Sequence, residues 1–178
     1  MGKGSLTETR RHENLQSAPG QPKAPLEGEE LVEALRGYFA AQPDVVAAYL
    51  FGSRATGQAR PESDVDVAVL LSEEDGEARF ERRLRLMDEV SDVCGREADV
   101  IVLNDAPPLL QYQVLKHGRL LFERDPAARV EFEVRAGKIY ADLKPMYDFF
   151  TRDLLQKIRE VGLGGRRRRR RRTAETPR

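Results

Sequence analysis

The sequence contains a single cysteine, Cys94, and no tryptophan among its 178 residues. One cysteine excludes both an internal disulfide framework and a cysteine-based zinc site, and it favours a reducing, cytoplasmic setting. The longest apolar runs, Val45–Phe51 and Val67–Leu71, fall far short of the roughly 20 residues that a membrane-spanning helix needs. The first 25 residues contain no apolar stretch, so we expect neither a secretory signal nor an association with a membrane.

Net charge is also lacking, because 30 basic residues balance 30 acidic ones, but the charges are unevenly distributed. Seven consecutive arginines, Arg166–Arg172, follow a Gly-Gly pair near the carboxyl end. We predict a disordered segment over residues 1–26, one folded domain over 27–163 and a basic disordered tail over 164–178. The arginine run has no interleaved aromatic residues, so it predicts at most a weak, non-specific contact with RNA.

Helical and strand patterns alternate between these two segments. A first helix is predicted to end near Ala41, and another helix is predicted to follow Pro107-Pro108. A final helical stretch covers about residues 126–161, in which Pro145 is expected to break or kink the helix. Strands are predicted at VVAAYLF (45–51), DVDVAVLL (64–71), residues 99–103 and RLLFE (119–123). The sum predicts an α/β (α+β) fold: a small mixed β-sheet with helices packed on one face.

Acidic and apolar residues alternate at the start of the second predicted strand. Residues two apart on a strand face the same way, so Asp64 and Asp66 share one face while Val65 and Val67 face the core. Their Cα atoms lie about 7 Å apart, so the two carboxylates can converge on one ion. Without a cation the two negative charges repel one another, and a divalent cation relieves that repulsion. Mg²⁺ suits such a site because it prefers oxygen ligands and keeps positions open for water and phosphate.

A third carboxylate, Asp99, opens the next predicted strand. If that strand lies beside the first pair, Asp99 completes a cluster of three carboxylates. Such a cluster can hold two metal ions, one activating an attacking oxygen and one binding a triphosphate. A lone Asp-X-Asp at a strand start is more often a solvated pair, and only its combination with other features favours the metal site.

The first strand ends at Gly52-Ser53, where backbone N–H groups and a hydroxyl are suited to hold phosphate oxygens. Glycine permits a close approach of the backbone to a ligand. Arg54 follows immediately and can neutralise phosphate charge through a bidentate contact. His117, by contrast, is predicted to stabilise the end of a helix rather than to take part in catalysis.

The order Gly-Ser, ten residues, Asp-X-Asp resembles the signature of the DNA polymerase beta-type nucleotidyltransferase superfamily. The fuller string GSRATGQARPESDVDVAV is similar to that of the minimal nucleotidyltransferases. These are small prokaryotic proteins that are commonly encoded beside a HEPN-domain partner as toxin–antitoxin pairs. The resemblance implies a polymerase beta-like fold over about residues 31–160.

The resemblance also implies an activity, namely Mg²⁺-dependent transfer of AMP from ATP to a tyrosine of a HEPN RNase toxin. Two Mg²⁺ ions are implied. Asp64 and Asp66 match the metal ligands, and Asp99 matches the third carboxylate, which would help to deprotonate the incoming hydroxyl. Gly52 and Ser53 match the triphosphate-binding turn, with Arg54 as a weaker match.

Two other functions remain open from the sequence. The chain could neutralise its partner by binding alone, or it could modify a small hydroxylated molecule of the aminoglycoside type. The short region after Asp99 disfavours a dedicated small-molecule pocket. A stripe of Tyr147, Phe150, Leu154 and Ile158 either binds a partner or, as the favoured interpretation, packs on the protein's own sheet.

Overall fold

The structure is a computed structural model, and it describes residues 25–161. Those residues form four strands and five helices, in the following order along the chain: α1 (Gly28–Ala40), β1 (Val45–Phe51), α2 (Gly52–Ala55), β2 (Val65–Leu71), α3 (Gly76–Cys94), β3 (Ala98–Val102), α4 (Pro108–His117), β4 (Arg119–Glu123) and α5 (Pro126–Val161). All four predicted strands are confirmed. The short helix α2 was not predicted, because four residues are too few to show a helical period.

The four strands form one mixed sheet with the order β3-β2-β1-β4. Strand β1 is antiparallel to β2 and to β4, whereas β3 is parallel to β2. The parallel pair is connected through α3, the crossover helix that such a pair requires. The predicted mixed sheet is therefore confirmed.

Helices pack on both faces of the sheet, so the predicted arrangement with helices on one face only is wrong. One core cluster joins α1 and α3 to Val65, Val67 and other residues on one face. A second cluster joins α4 and α5 to Ala68 and Leu70 on the opposite face. The physical reason is the near-continuous apolar sequence of β1 and β2. Apolar side chains lie on both faces of these central strands, so helices must shield both faces from water.

Helix α5 is a single helix of 36 residues that continues through Pro145, and the predicted break is not found. Its first half packs against the sheet through Phe132 and Ala136, whereas Phe149 and Phe150 beyond the proline are exposed. The favoured interpretation of the apolar stripe, packing on the protein's own sheet, is thus wrong for Phe150. Within residues 25–161, no helix has the combination of length and apolar character that a bilayer crossing requires.

The predicted terminal segments lie almost entirely outside the described residues, as does the Arg166–Arg172 run, so its contact with RNA stays a prediction. At the amino-terminal boundary, Leu26 packs against the core and its N–H donates to the carbonyl of Cys94 at 3.0 Å. The fold therefore includes this residue just before the predicted domain start.

Candidate functional site

Two of the three predicted carboxylates are neighbours across the sheet. Asp66 on β2 is the register partner of Asp99 on β3, and register partners in a parallel pair face the same way, about 4.8 Å apart along the hydrogen-bonding direction. On its other side, Asp66 is the register partner of Phe51 at the end of β1. Asp64 lies just before β2. The structure thus places the predicted carboxylates around the start of the parallel pair, on the face that α4 and α5 cover.

The carboxyl group of Asp66 has a raised pKa. Partial burial is the largest cause, followed by the negative charges of Asp99 and Asp64, while the positive charge of Arg54 partly offsets them. Burial and like charges both penalise the ionised carboxylate. A bound cation would remove this penalty, so the donor set and its electrostatics fit a divalent metal ion.

Within residues 25–161, no three acidic, histidine or cysteine side chains are arranged closely enough to hold a metal. Instead, the carboxylate of Asp99 pairs with Arg83 of α3, with 3.2 Å between Oδ1 and Nη2. Arg83 is itself fixed by its Nε, which donates to the carbonyl of Val100 at 2.6 Å. The metal and catalytic roles of Asp64, Asp66 and Asp99 stay predictions that rest on their chemistry and placement.

Gly52 lies directly against Asp66. Its φ of +67° is in the left-handed region, and a Cβ added there would lie 2.1 Å from Oδ2 of Asp66. Both observations require glycine at this position. The Gly52-Ser53 turn is therefore part of the same site as the carboxylates, as its predicted phosphate-binding role requires.

Arg54 has partners that the sequence did not indicate. Its guanidinium donates to the backbone carbonyls of Ser63 (2.6 Å) and Asp64 (3.1 Å) and also pairs with Glu27. Only 5% of its side chain is exposed. Since these contacts occupy the guanidinium, its clearest role is to hold the loop that leads to Asp64, and its contact with a nucleotide stays a prediction.

A second arginine holds the same loop. Arg96, at the end of α3, donates to the carbonyl of Pro61 at 2.9 Å and pairs with Glu27 at 2.6 Å. Glu27 thus bridges the two guanidinium groups, which lowers the pKa of its carboxyl. The long connection between α2 and β2 is fixed to the body of the protein at its second half, close to Asp64.

A cavity of about 410 Å³ opens beside Ser53, and we call it the glycine-side cavity. Helix α4 supplies its opposite wall. The lining residues are Phe51, Gly52, Ser53, Thr56, Gln58, Leu110, Gln113, Val114 and His117. His117 thus lines this cavity and also lies at the end of α4. The sequence could not indicate its place at the cavity, because the packing of α4 against the sheet determines it.

The comparisons with known proteins agree with this geometry. The family model described as Polymerase beta, Nucleotidyltransferase matches residues 33–127, which is more than half of the chain. A search of curated proteins finds no match.

Several solved structures share the fold. A toxin–antitoxin structure with AMP-PNP has 25% identity and a TM-score of 0.57, with 73% of this chain and 99% of that chain covered. A variant of the toxin–antitoxin MntA–HpeT has 24% identity and a TM-score of 0.58, with the same coverage. A tri-AMPylated HEPN toxin in complex with MNT antitoxin, from Shewanella oneidensis, has 23% identity and a TM-score of 0.51, with 71% and 94% covered.

The first prediction concerns the contact between Gly52 and Asp66. Gly52→Ala introduces both left-handed strain and an overlap with Asp66, whereas Gly57→Ala introduces the strain alone, because its φ is +71° and its Cβ would meet nothing within 4 Å. We expect Gly57→Ala to lower the free energy of unfolding by about 1 kcal/mol and Gly52→Ala to lower it by clearly more. Urea denaturation measures both. Equal losses would show that Asp66 moves away from the added Cβ without cost.

The second prediction concerns pH. Because the pKa of Asp66 is raised in the folded state above its usual 3.8, ionisation of Asp66 destabilises the fold. The penalty is absent below pH 3.8, develops as the pH rises through the folded-state pKa, and is complete above it. In metal-free buffer, Asp66→Asn should therefore raise the unfolding temperature at pH 7, and this gain should shrink towards pH 4.

Thermal unfolding at several pH values measures this effect. Asp88→Asn on the exposed side of α3 is the control and should show no such pH-dependent gain. A gain for Asp66→Asn that is equal at pH 4 and pH 7 would contradict the electrostatic origin.

Proposed function

We propose a function on the premise that the chain belongs to the polymerase beta nucleotidyltransferase family, whose model matches residues 33–127. The predicted family and the predicted class of enzyme, a nucleotidyltransferase, are thereby confirmed. The proposed reaction is the transfer of AMP from ATP to a tyrosine hydroxyl of a HEPN-domain RNase toxin, with this chain as the antitoxin. The observation that carries the proposal is the pairing of Asp66 with Asp99 beside the Gly52-Ser53 turn.

The relatives support this choice of donor and partner. The structures with similar folds include a toxin–antitoxin with AMP-PNP and a tri-AMPylated HEPN toxin bound to its antitoxin. The chain covers almost the full length of those relatives.

Each part of the site has a role in this proposal. Asp64, Asp66 and Asp99 hold Mg²⁺, with two ions expected, which neutralises phosphate charge and activates the acceptor oxygen when bound. The backbone at Gly52 and Ser53 approaches the triphosphate closely, since no Cβ stands in the way at Gly52. Arg54 acts indirectly in this scheme by holding the carbonyls of Ser63 and Asp64 and thus the backbone before β2.

The reaction needs positioning and charge neutralisation rather than a covalent enzyme intermediate. The acceptor oxygen forms a bond to the α-phosphorus, the bond from that phosphorus to the β-bridging oxygen breaks, and pyrophosphate leaves. In this proposal Asp99 takes the hydroxyl proton, a choice supported by its position on the outer strand β3 and by the 52% exposure of its side chain.

The second half of α5 offers a surface for the partner. Five large apolar side chains beyond or next to Pro145 are 45% to 61% exposed: Met146, Phe149, Phe150, Leu154 and Leu155. We call this set the α5 surface. Exposed aromatic and aliphatic residues on one projecting helix are typical of helix-mediated recognition. We assign the α5 surface to binding of the HEPN-domain partner in a hetero-oligomer.

The third prediction tests catalysis. Asp64→Asn, Asp66→Asn and Asp99→Asn should each lower adenylyl transfer at least about 100-fold, because each removes a carboxylate that would hold Mg²⁺, and those ions would balance the negative charge of the transition state. The assay incubates the chain with ATP, Mg²⁺ and the HEPN-domain protein encoded beside it, and it measures the partner's mass. Removal of Mg²⁺ with EDTA should abolish the adenylyl increment.

Asp88→Asn is the matched control and should transfer AMP at the wild-type rate. Full neutralisation of the partner by Asp66→Asn without any mass increment would favour neutralisation by binding alone. AMP on a small hydroxylated molecule, with none on the partner, would favour the third function considered from the sequence.

The fourth prediction tests the α5 surface. Phe150→Asp should weaken binding of the HEPN-domain partner roughly thirtyfold or more, since it places a charge in an apolar interface. Val134→Asp, on the same helix and similarly exposed, is the control and should bind normally. Isothermal titration calorimetry measures both. Equal affinities for the two variants would exclude the α5 surface from the complex.

A further inference from the structure

A second cavity lies on the other side of the carboxylates from Gly52. It has a volume of about 360 Å³ and lies between α3, the end of β3 and the start of α4. Its apolar wall includes Phe80, Ile101, Pro107 and Leu110. We call it the α3 cavity.

The α3 cavity adjoins Asp99. Ile101 follows Asp99 by two residues on β3 and therefore faces the same side of the sheet. Arg83 connects the two places directly, since it lines the cavity and its Nη2 lies 3.2 Å from Oδ1 of Asp99. A group bound in this cavity is therefore brought next to the third carboxylate.

The two cavities flank the reacting centre. Leu110 of α4 lines both of them. The glycine-side cavity begins at the end of β1, the α3 cavity begins at β3, and Asp66 on the strand between them is paired with Asp99. This is the arrangement that a transfer between two substrates needs, with the donor on one side and the acceptor on the other.

The walls of the α3 cavity are fixed before any ligand binds. Arg79 is held by Asp105, with 2.8 Å between Nε and Oδ2, and it also donates to the carbonyl of Glu74. Arg83 is held by the carbonyl of Val100 at 2.6 Å. Phe80, between these two arginines on α3, is 57% exposed and has its ring available to a ligand.

We propose that the α3 cavity is the acceptor site and that it binds the side chain of a tyrosine on a protein acceptor. This inference rests on the proposed function. The apolar wall matches an aromatic ring, and the single polar end of the ring then lies towards Asp99 and Arg83.

The bonds and the proton balance in this step. The phenol oxygen forms the new bond to the α-phosphorus of ATP, the bond to the β-bridging oxygen breaks, and pyrophosphate takes that electron pair. The phenol proton goes to the carboxylate of Asp99 and from there to solvent. Specificity for tyrosine over serine follows, since a serine hydroxyl has no ring to fill the apolar wall.

The test compares Phe80→Ala with Leu84→Ala, because Leu84 is an exposed apolar residue one turn further along α3 that does not line the cavity. With the HEPN-domain protein as acceptor, Phe80→Ala should raise its KM about tenfold. Affinity for AMP-PNP, measured by calorimetry, should not change. Leu84→Ala should leave both values at the wild-type level, and Phe80→Leu should recover much of the lost KM.

A second measurement tests the class of acceptor. N-acetyl-L-tyrosinamide should compete with the protein acceptor in the wild type and at least about tenfold less well in Phe80→Ala, while N-acetyl-L-serinamide should not compete. An unchanged KM in Phe80→Ala, or equal competition by the two amides, overturns the acceptor site and leaves the proposed function standing. No adenylyl increment with the wild-type chain overturns the proposed function itself.

Discussion

The parallel pairing of β2 with β3 is the contact on which the site depends, because it puts the carboxylates of Asp66 and Asp99 side by side. Electrostatic repulsion alone would move these two carboxylates apart. The pairing persists because the same strands bury Val65, Val67 and Val100 on the face covered by α1 and α3. Apolar burial on one face of the sheet therefore stabilises a repulsive arrangement on the other, which is how strained functional groups are retained in a folded protein.

Arginines complete this arrangement from outside the strands. Arg54 and Arg96 share Glu27 and hold the loop before Asp64, whereas Arg83 turns around the outer edge of the sheet to reach Asp99 and a free carbonyl of β3. A fixed backbone at each carboxylate lowers the reorganisation that substrate binding demands. The edge strand β3 is at the same time partly protected from pairing with another chain.

The proposed function requires a chain of this size to bind two substrates, and the fold offers a place for each. Helix α4 packs on the same face of the sheet as Asp66 and Asp99, and its Leu110 lines both the glycine-side cavity and the α3 cavity. Helix α5 packs on the sheet through its first half and then extends beyond it, exposing Phe150 and Leu154. In the proposed function, the partner binds along α5 and supplies the acceptor, so that no separate acceptor domain is needed.

Local patterns predicted all four strands, and the chemistry proposed for the carboxylates also rests on such patterns. Period-2 alternation predicted that Asp64 and Asp66 oppose Val65 and Val67, and the resemblance around the Gly-Ser turn led to the family. Features that depend on long-range packing were not predicted. These are the helices that cover the second face of the sheet and the exposure of Phe150. The side-chain contacts are a further case, since Arg54 donates to backbone carbonyls and Arg83 pairs with Asp99. The alternation of polar and apolar residues along a strand, and the residue types of a turn, depend on residues close in the chain and can therefore be recognised in the sequence. Side-chain partners 16 or 27 residues apart, as in Arg83–Asp99 and Arg54–Glu27, depend on how elements stack, which no local period encodes.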